Sequence, residues 1–148
     1  MRSILAVMAI ESIAPSVRTV VEANNPMHVP HFRRAEADEI LVTSGLASRL
    51  LARSALYPGL SELVTDIVSG GDGSELYRVM LPDNYVGLSV DELSTKLRGE
   101  HRATLLAVTR DGHSMTNPQA DFRLEEGDDA VVVAEGLGTL RPLQLQHE

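Results

Sequence analysis

The chain has 148 residues, of which 43% are hydrophobic and 3% aromatic, and its formal net charge at pH 7 is -8. This length suits one domain or two small lobes with an aliphatic core. The acidic balance argues against a nucleic-acid surface, because neutralising phosphates requires clustered Lys and Arg. The absence of cysteine excludes disulfides, thiolate metal sites and cysteine nucleophiles. We therefore expect an intracellular protein.

The apolar runs are all short. The best candidate for a membrane segment, residues 4–10, ends at Glu11 and is far shorter than the roughly 18 residues that a span needs. Only Arg2 precedes it with a positive charge, so no signal peptide is predicted. A role at a membrane would require an anchor elsewhere.

Helix and strand patterns alternate in the first part of the chain. Residues 1–14 are compatible with a short helix that Pro15 ends, and residues 17–23 form a β-branched run typical of a buried strand. A short helix or irregular turn is predicted over residues 27–35, and a further strand over residues 39–42. This order is typical of the last repeat of a parallel α/β sheet.

Residues 44–70 predict two helices that are broken at Pro58-Gly59. In the second helix, apolar residues follow the i, i+3, i+4, i+7, i+8 pattern, and in the first, leucines form an apolar stripe. Such a strongly apolar pair needs a partner surface. The run Gly70-Gly71-Asp72-Gly73 then indicates a flexible boundary.

The region after this boundary is predicted to contain a strand over residues 76–81 and a helix that opens with Ser89-Val90-Asp91-Glu92. The serine and glutamate spacing is that of a capping box. Val90, Leu93 and Leu97 lie on one face of this helix, and Gly99 is its predicted C-terminal stop.

Three further strands are predicted near the C-terminus. Residues 103–109 form an apolar run, the Asp111-Gly112 pair supplies the positive φ angles of a tight hairpin, and residues 114–116 form the return strand. A turn before residues 130–134 leads to another buried strand. Gly136-Leu137-Gly138 reads as a turn, and the tail is predicted to fray at its end.

These pieces, in this order, resemble the regulator of potassium conductance domain, also called the TrkA type. The C-terminal lobe of that family shows four ordered motifs: a Gly-x-x-Val-x-x-Leu helix start, an apolar strand ending in Arg and a turn glycine, an Asn-Pro or Pro-Pro pair, and Leu-x-x-Gly-Asp before a hydrophobic strand. Here they fall at residues 87–93, 105–112, 117–118 and 124–128. Upstream, residues 17–23 and 36–41 resemble the last two strands of the family's Rossmann-like lobe.

The resemblance implies an α/β fold with three parts: an incomplete Rossmann-like lobe, a helix-turn-helix crossover, and a small α+β lobe of the TrkA-C type. The expected bounds are residues 1–43, 44–73 and 74–138, followed by a tail over 139–148. No Gly-x-Gly-x-x-Gly turn precedes the strand at Val17, so the dinucleotide fingerprint is absent. We expect the chain to be a fragment, or an internal-start product, of a longer channel or transporter subunit.

The resemblance also implies a function. It suggests a cytosolic regulatory domain of a potassium channel or potassium uptake system, held at the inner face of the cell membrane by a linked or partner membrane subunit. Such domains dimerise through the crossover pair or form a higher ring, and ligand binding biases a linked pore. The residues predicted at the dimer interface are Leu46, Leu50, Leu60, Leu63, Val64 and Ile67.

A small-molecule site is predicted near the hairpin. Some family members bind a cyclic dinucleotide, and Arg110 with Asn117 and Pro118 offers a guanidinium and an amide beside a rigid turn for that ligand or another anion. The alternative is an exposed hairpin with no ligand. The stretches matching the family's calcium site, residues 55–59 and 77–80, contain no carboxylate.

Other chemistry has weaker sequence signals. His28 and His31 are predicted to be surface or packing residues, since Pro30 between them disfavours a regular metal-binding helix, and no metal site is predicted. No catalytic motif is present, so the chain is not predicted to be an enzyme. Two alternatives stay open: a truncated NAD-type oxidoreductase fragment, and a dimerisation module without a ligand.

Overall fold

The computed structural model describes residues 2–70, 73–140 and 143–145. The chain divides between residues 61 and 62 into two compact units. Each unit has its own hydrophobic core.

The first unit contains three helices and two strands. In chain order they are α1 (Arg2–Ile13), β1 (Val20–Glu22), α2 (Val29–Arg34), β2 (Glu39–Leu41) and α3 (Thr43–Leu56), with a 3-10 turn over Pro26–His28 before α2. The predicted alternation of helix and strand is therefore confirmed. β1 is shorter than predicted, because the chain is still turning at Val17, whose N–H donates to Ala14 O at 3.0 Å.

β1 and β2 pair in parallel, with Val20 opposite Glu39. One side of this two-stranded sheet is covered, since Val21 of β1 packs in one cluster with Val7 of α1 and Phe32 of α2. The remaining members of this small core are Ala23 and Ala35.

The second unit contains a five-stranded antiparallel sheet. The helix α4 (Leu60–Ser69) begins just before the division and lies mostly in this unit. The elements that follow are β3 (Glu75–Met80), α5 (Val90–His101), β4 (Thr104–Arg110), β5 (His113–Thr116), β6 (Asp129–Ala134) and β7 (Gln144–Leu145). The strand order is β5-β4-β6-β3-β7. The main core lies between α5 and one face of the sheet, where Leu93 and Leu97 pack with Val79, Val108 and Val132.

The predicted capping box opens α5. Glu92 N donates to Ser89 Oγ at 3.2 Å, and Ser89 N donates to Glu92 Oε2 at 2.7 Å, so two helix-end donors are satisfied. The predicted stop at Gly99 is wrong. α5 continues to His101, whose side chain is only 4% exposed, and the left-handed residue that follows the helix is Arg102, with φ 52.

The β4–β5 hairpin follows the sequence prediction. Asp111 and Gly112 have φ angles of 50 and 76, the left-handed values that a two-residue hairpin loop requires. Arg110 pairs with His113 across the turn.

The segment after β6 belongs to the core of the second unit, which the sequence did not predict. The turn at Gly136 leads into a 3-10 helix over Leu137–Leu140, and Leu140 and Leu143 are 0% and 3% exposed. β7 then pairs with the end of β3. The predicted fraying concerns residues 146–148, which lie outside the described residues.

Candidate functional site

Arg110, the first predicted ligand-binding residue, lies at the end of β4 in a cluster of hydrogen bonds. Its Nε donates to Asp128 Oδ1 at 2.8 Å and its Nη2 to Asp128 Oδ2 at 2.7 Å, a bidentate pair. Its Nη1 donates to Glu125 Oε1 at 2.7 Å, and its Nη2 also donates to Arg123 O at 2.9 Å. The ring of Phe122 lies 4.7 Å from the guanidinium carbon. We call these residues the Arg110 clamp.

Asp128 is the buried half of the clamp, with a side chain that is 0% exposed. Burial by itself raises the pKa of this carboxyl, but the hydrogen bonds from Arg110 and from Glu125 N outweigh it and hold the pKa below its usual value of 3.8. The same hydrogen bond to Asp128 raises the pKa of Arg110. The pair is therefore ionised at neutral pH and ties the end of β4 to the loop before β6.

The clamp explains the Leu-x-x-Gly-Asp motif in structural terms. Leu124 is buried, Gly127 adopts a φ of 84 that favours glycine, and Asp128 accepts hydrogen bonds from Arg110 and from the N–H of Glu125. The motif shapes a turn that can receive the guanidinium. The motif can be identified in the sequence, but its pairing with Arg110 cannot, because 18 positions separate Asp128 from Arg110.

The cluster has chemical consequences for ligand binding. Four of the five N–H groups of Arg110 donate within the chain. Two carboxylates, from Asp128 and Glu125, already face its single positive charge. The two carboxylates and the guanidinium together carry a net negative charge, which would repel an anion that approached Arg110. The geometry therefore favours a structural role for the residue.

Asn117 and Pro118, the other two predicted site residues, lie at the far end of the hairpin from Arg110. Asn117 is exposed, has a left-handed φ of 50, and donates its N–H to Leu106 O at 2.9 Å. Leu106 precedes Arg110 by four residues along β4, a separation of roughly 13 Å in a strand. The structure therefore does not bring the three residues together within one chain.

The predicted dimer residues lie on α3 and α4, where they are exposed or half-buried. No residue of α3 or α4, both of which lie within the described ranges, is buried. Leu46 on α3 and Leu63 on α4 are 58% and 55% exposed. Leu50, Leu60, Val64 and Ile67 are half-buried.

Other large apolar side chains on the same helices are still more exposed, and the prediction did not include them. Leu51, Leu56 and Val68 are 75%, 73% and 70% exposed. We give the name crossover surface to two sets of residues, the apolar residues of α3 in the first unit and those of α4, most of which lies in the second unit. Exposure on this scale is typical of an interaction surface.

The two histidines are exposed, one in the 3-10 turn and one on α2, with ring centroids 6.4 Å apart. Within the described ranges, no three metal-binding side chains gather at one place. Among the same residues, no helix is both long and apolar enough to cross a bilayer.

Comparison with known proteins places the chain among channel-related sequences. It is 26% identical over 148 residues to a probable ion channel, POLLUX, from Oryza sativa subsp. japonica, covering 97% of this chain. It is 21% identical over 134 residues to the calcium-gated potassium channel TvoK from Thermoplasma volcanium, covering 90%. The chain spans only 15% and 38% of the length of these relatives. No protein-family model matches the chain.

Among solved structures, the human SLO3 gating ring matches 97% of this chain with a TM-score of 0.76, at 16% identity and over 31% of that chain. The chain has the fold of a regulator of potassium conductance domain. The predicted resemblance and the mixed α/β fold class are thereby confirmed.

Proposed function

We propose that this regulator of potassium conductance domain is a cytosolic regulatory part of a potassium channel or potassium uptake system. Its relatives include proteins named as ion channels, one of them a calcium-gated potassium channel. The domain would act at the inner face of the cell membrane, through a linked or partner membrane subunit. Its role would be regulation rather than catalysis.

The crossover surface carries this proposal. Exposed leucines on two helices without a buried residue are costly in water, and burying one leucine fully is worth roughly 1.5–3 kcal/mol. A second copy with the same surface can cover them across a two-fold axis, since an isologous interface is self-complementary. The domain therefore dimerises through α3 and α4, and like dimers build the ring.

A ligand can control a linked pore if the dimer adopts two different arrangements. A ligand that binds one arrangement more tightly shifts the population toward it by its difference in affinity. A pore linked to the dimer would then open or close with that shift. The ligand class we propose is a nucleotide or cyclic dinucleotide, bound near Asn117 and Pro118, with Arg110 shaping the hairpin that presents them.

The decisive experiment replaces Leu63 with Asp and measures mass by light scattering. A charge in the buried interface has no partner, so L63D should be monomeric while the wild type is a dimer or larger. The matched control is Met27→Asp, which removes an apolar side chain that is 77% exposed on the 3-10 turn outside this surface. M27D should keep the wild-type mass.

Either of two results would contradict the proposed dimer. One is a wild type that stays monomeric throughout the concentration range of the experiment. The other is an L63D variant with the wild-type mass and an unchanged circular dichroism spectrum.

A further inference from the structure

The two helices that carry the crossover surface have charges of opposite sign. The charged residues of α3 are Arg49 and Arg53, and those of α4 are Glu62 and Asp66. All four residues are exposed. One helix is therefore purely basic and the other purely acidic.

Each pair of like charges is unfavourable on its own helix. The two arginines are four positions apart, as are the two acids, and like charges at this spacing repel each other on a helix surface. Among the residues that the structure describes, none of the four forms an ion pair within its own unit. Opposite charges on another surface would relieve this repulsion.

The arginines and Asp66 border the apolar residues of the crossover surface. On α3, Arg49 and Arg53 follow Leu46 and Leu50 by three positions each, so each arginine lies beside a leucine on the same side of the helix. On α4, Asp66 follows Leu63 by three positions. A polypeptide that covers the leucines would consequently also meet these charges.

The spacing of the charges on the two helices is the same. Four positions of an α-helix span about 6 Å along its axis, so the two arginines of α3 and the two acids of α4 can form two ion pairs side by side. Packing α3 against α3 of a second copy would instead bring arginines together, and packing α4 against α4 would bring acids together. A two-fold axis that places α3 of each copy against α4 of the other makes both contacts favourable.

We propose that Arg49 and Arg53 of one copy pair with Glu62 and Asp66 of a second copy, and that this pairing determines which chains the crossover surface accepts. The inference rests on the dimer proposed above, and it adds the arrangement of α3 against α4 and a selectivity for copies with the same charges. Burial of the leucines would hold any two apolar helix pairs together, whereas like charges across the interface exclude a wrong partner.

The test uses two variants of the full chain with reversed charges. Both helices are acidic in R49E/R53E, and both are basic in E62R/D66R. Sedimentation equilibrium should show that each variant alone dimerises at least about tenfold more weakly than the wild type, because like charges then face each other.

An equimolar mixture of the two variants should recover the dimer. The acidic α3 of one variant then faces the basic α4 of the other, and the two unchanged helices face each other as in the wild type. Its Kd should lie within about threefold of the wild-type value. Native mass spectrometry should identify it as a heterodimer, which also shows that both variants are folded.

A control and a measurement on the wild type accompany the mixture. R33E/R34E makes the same change in net charge as R49E/R53E at two exposed residues of α2, outside the crossover surface, and should dimerise like the wild type. The Kd of the wild-type dimer should rise as NaCl increases from about 0.05 to about 0.5 M, because salt screens exposed ion pairs.

Three results would contradict the charge pairing. Homodimers of both charge variants with the wild-type Kd would show that the pairs do not form, while L63D would still test the dimer separately. Weak dimerisation of both variants without recovery in the mixture would mean that the charges act within one chain. A wild-type Kd that does not rise with salt would show that apolar contacts alone select the partner. A wild type that never dimerises would contradict this pairing and the proposed dimer together.

Discussion

At the scale of single residues, Arg110 is a charged side chain at the end of a strand that donates its hydrogen bonds to acceptors of the same chain. The residue reaches across from β4 to a buried carboxylate and to two further acceptors in the loop before β6. A buried carboxylate without its partner would be strongly unfavourable. The pair therefore stabilises this corner of the second unit.

Replacing Asp128 with Asn should destabilise the chain by about 2 kcal/mol, because it removes the charged acceptor of two Arg110 hydrogen bonds, while Glu125 still faces the guanidinium. Urea unfolding measures the change in the free energy of unfolding. The matched control is Asp111→Asn, an exposed Asp in the turn of the β4–β5 hairpin, next to Arg110 in the chain. D111N should change the free energy by no more than about 0.5 kcal/mol.

The effect of D128N should also depend on pH. Folding lowers the pKa of Asp128 below 3.8, so its carboxylate contributes its full stability above that value and loses it as the pH falls through the lower folded pKa. The difference between the wild type and D128N should shrink in acid. An equal difference at neutral and strongly acidic pH would contradict an ionised clamp.

At the scale of elements, α5 shows how local signals start a helix and tertiary contacts end it. The capping box supplies two hydrogen bonds at the first turn. At the last turn, the buried His101 ring lies 3.0 Å, through Nδ1, from Thr139 O, which links the helix to the segment after β6. That contact holds the last turn beyond Gly99.

Ser89→Ala should destabilise the chain by about 1 kcal/mol through loss of the N-cap hydrogen bond. Chemical denaturation measures this change, and helix content at low denaturant should stay near the wild-type value. Ser94→Ala, in the interior of the same helix, is the control and should be neutral or slightly stabilising, since alanine is the better helix former. Equal effects of both substitutions would show that capping is not the cause.

At the scale of the whole molecule, the chain consists of two compact units, each with its own hydrophobic core. The crossover surface exposes large apolar side chains. The proposed dimer would cover these side chains with the same residues of a second copy.

A thermal-shift screen tests the ligand part of the proposed function. Cyclic dinucleotides, adenine nucleotides and divalent cations are compared, and a ligand at about 100 times its Kd stabilises the native state by about 2.7 kcal/mol. We expect a rise in Tm with a nucleotide or cyclic dinucleotide, and a smaller rise in Asn117→Asp, whose added charge repels the phosphates. Asn84→Asp, exposed on a 3-10 turn, is the control. No rise with any nucleotide would contradict the proposed ligand class and leave the light-scattering test unaffected.

The amino-acid sequence by itself determined the features that depend on neighbouring residues. The capping box at Ser89, the hairpin turn at Asp111-Gly112 and the helix break at Pro58-Gly59 are local patterns, because φ preferences and short-range hydrogen bonds act within a few residues. The order of these signals also indicated the fold family. The spacing of apolar residues, however, does not indicate which part of the protein, or which partner, covers the apolar face of a helix.

Only the tertiary structure decided the features that depend on residues far apart in the chain. Arg110 forms a hydrogen-bonded pair with Asp128, and α5 continues past Gly99 to the buried His101. Leu140 and Leu143, which were expected in a tail, belong to the core. In each case a contact between distant residues outweighs the local preference, since burial and charge pairing are worth more than the propensity of a single residue. Such contacts exist only once the sheet has brought their partners together.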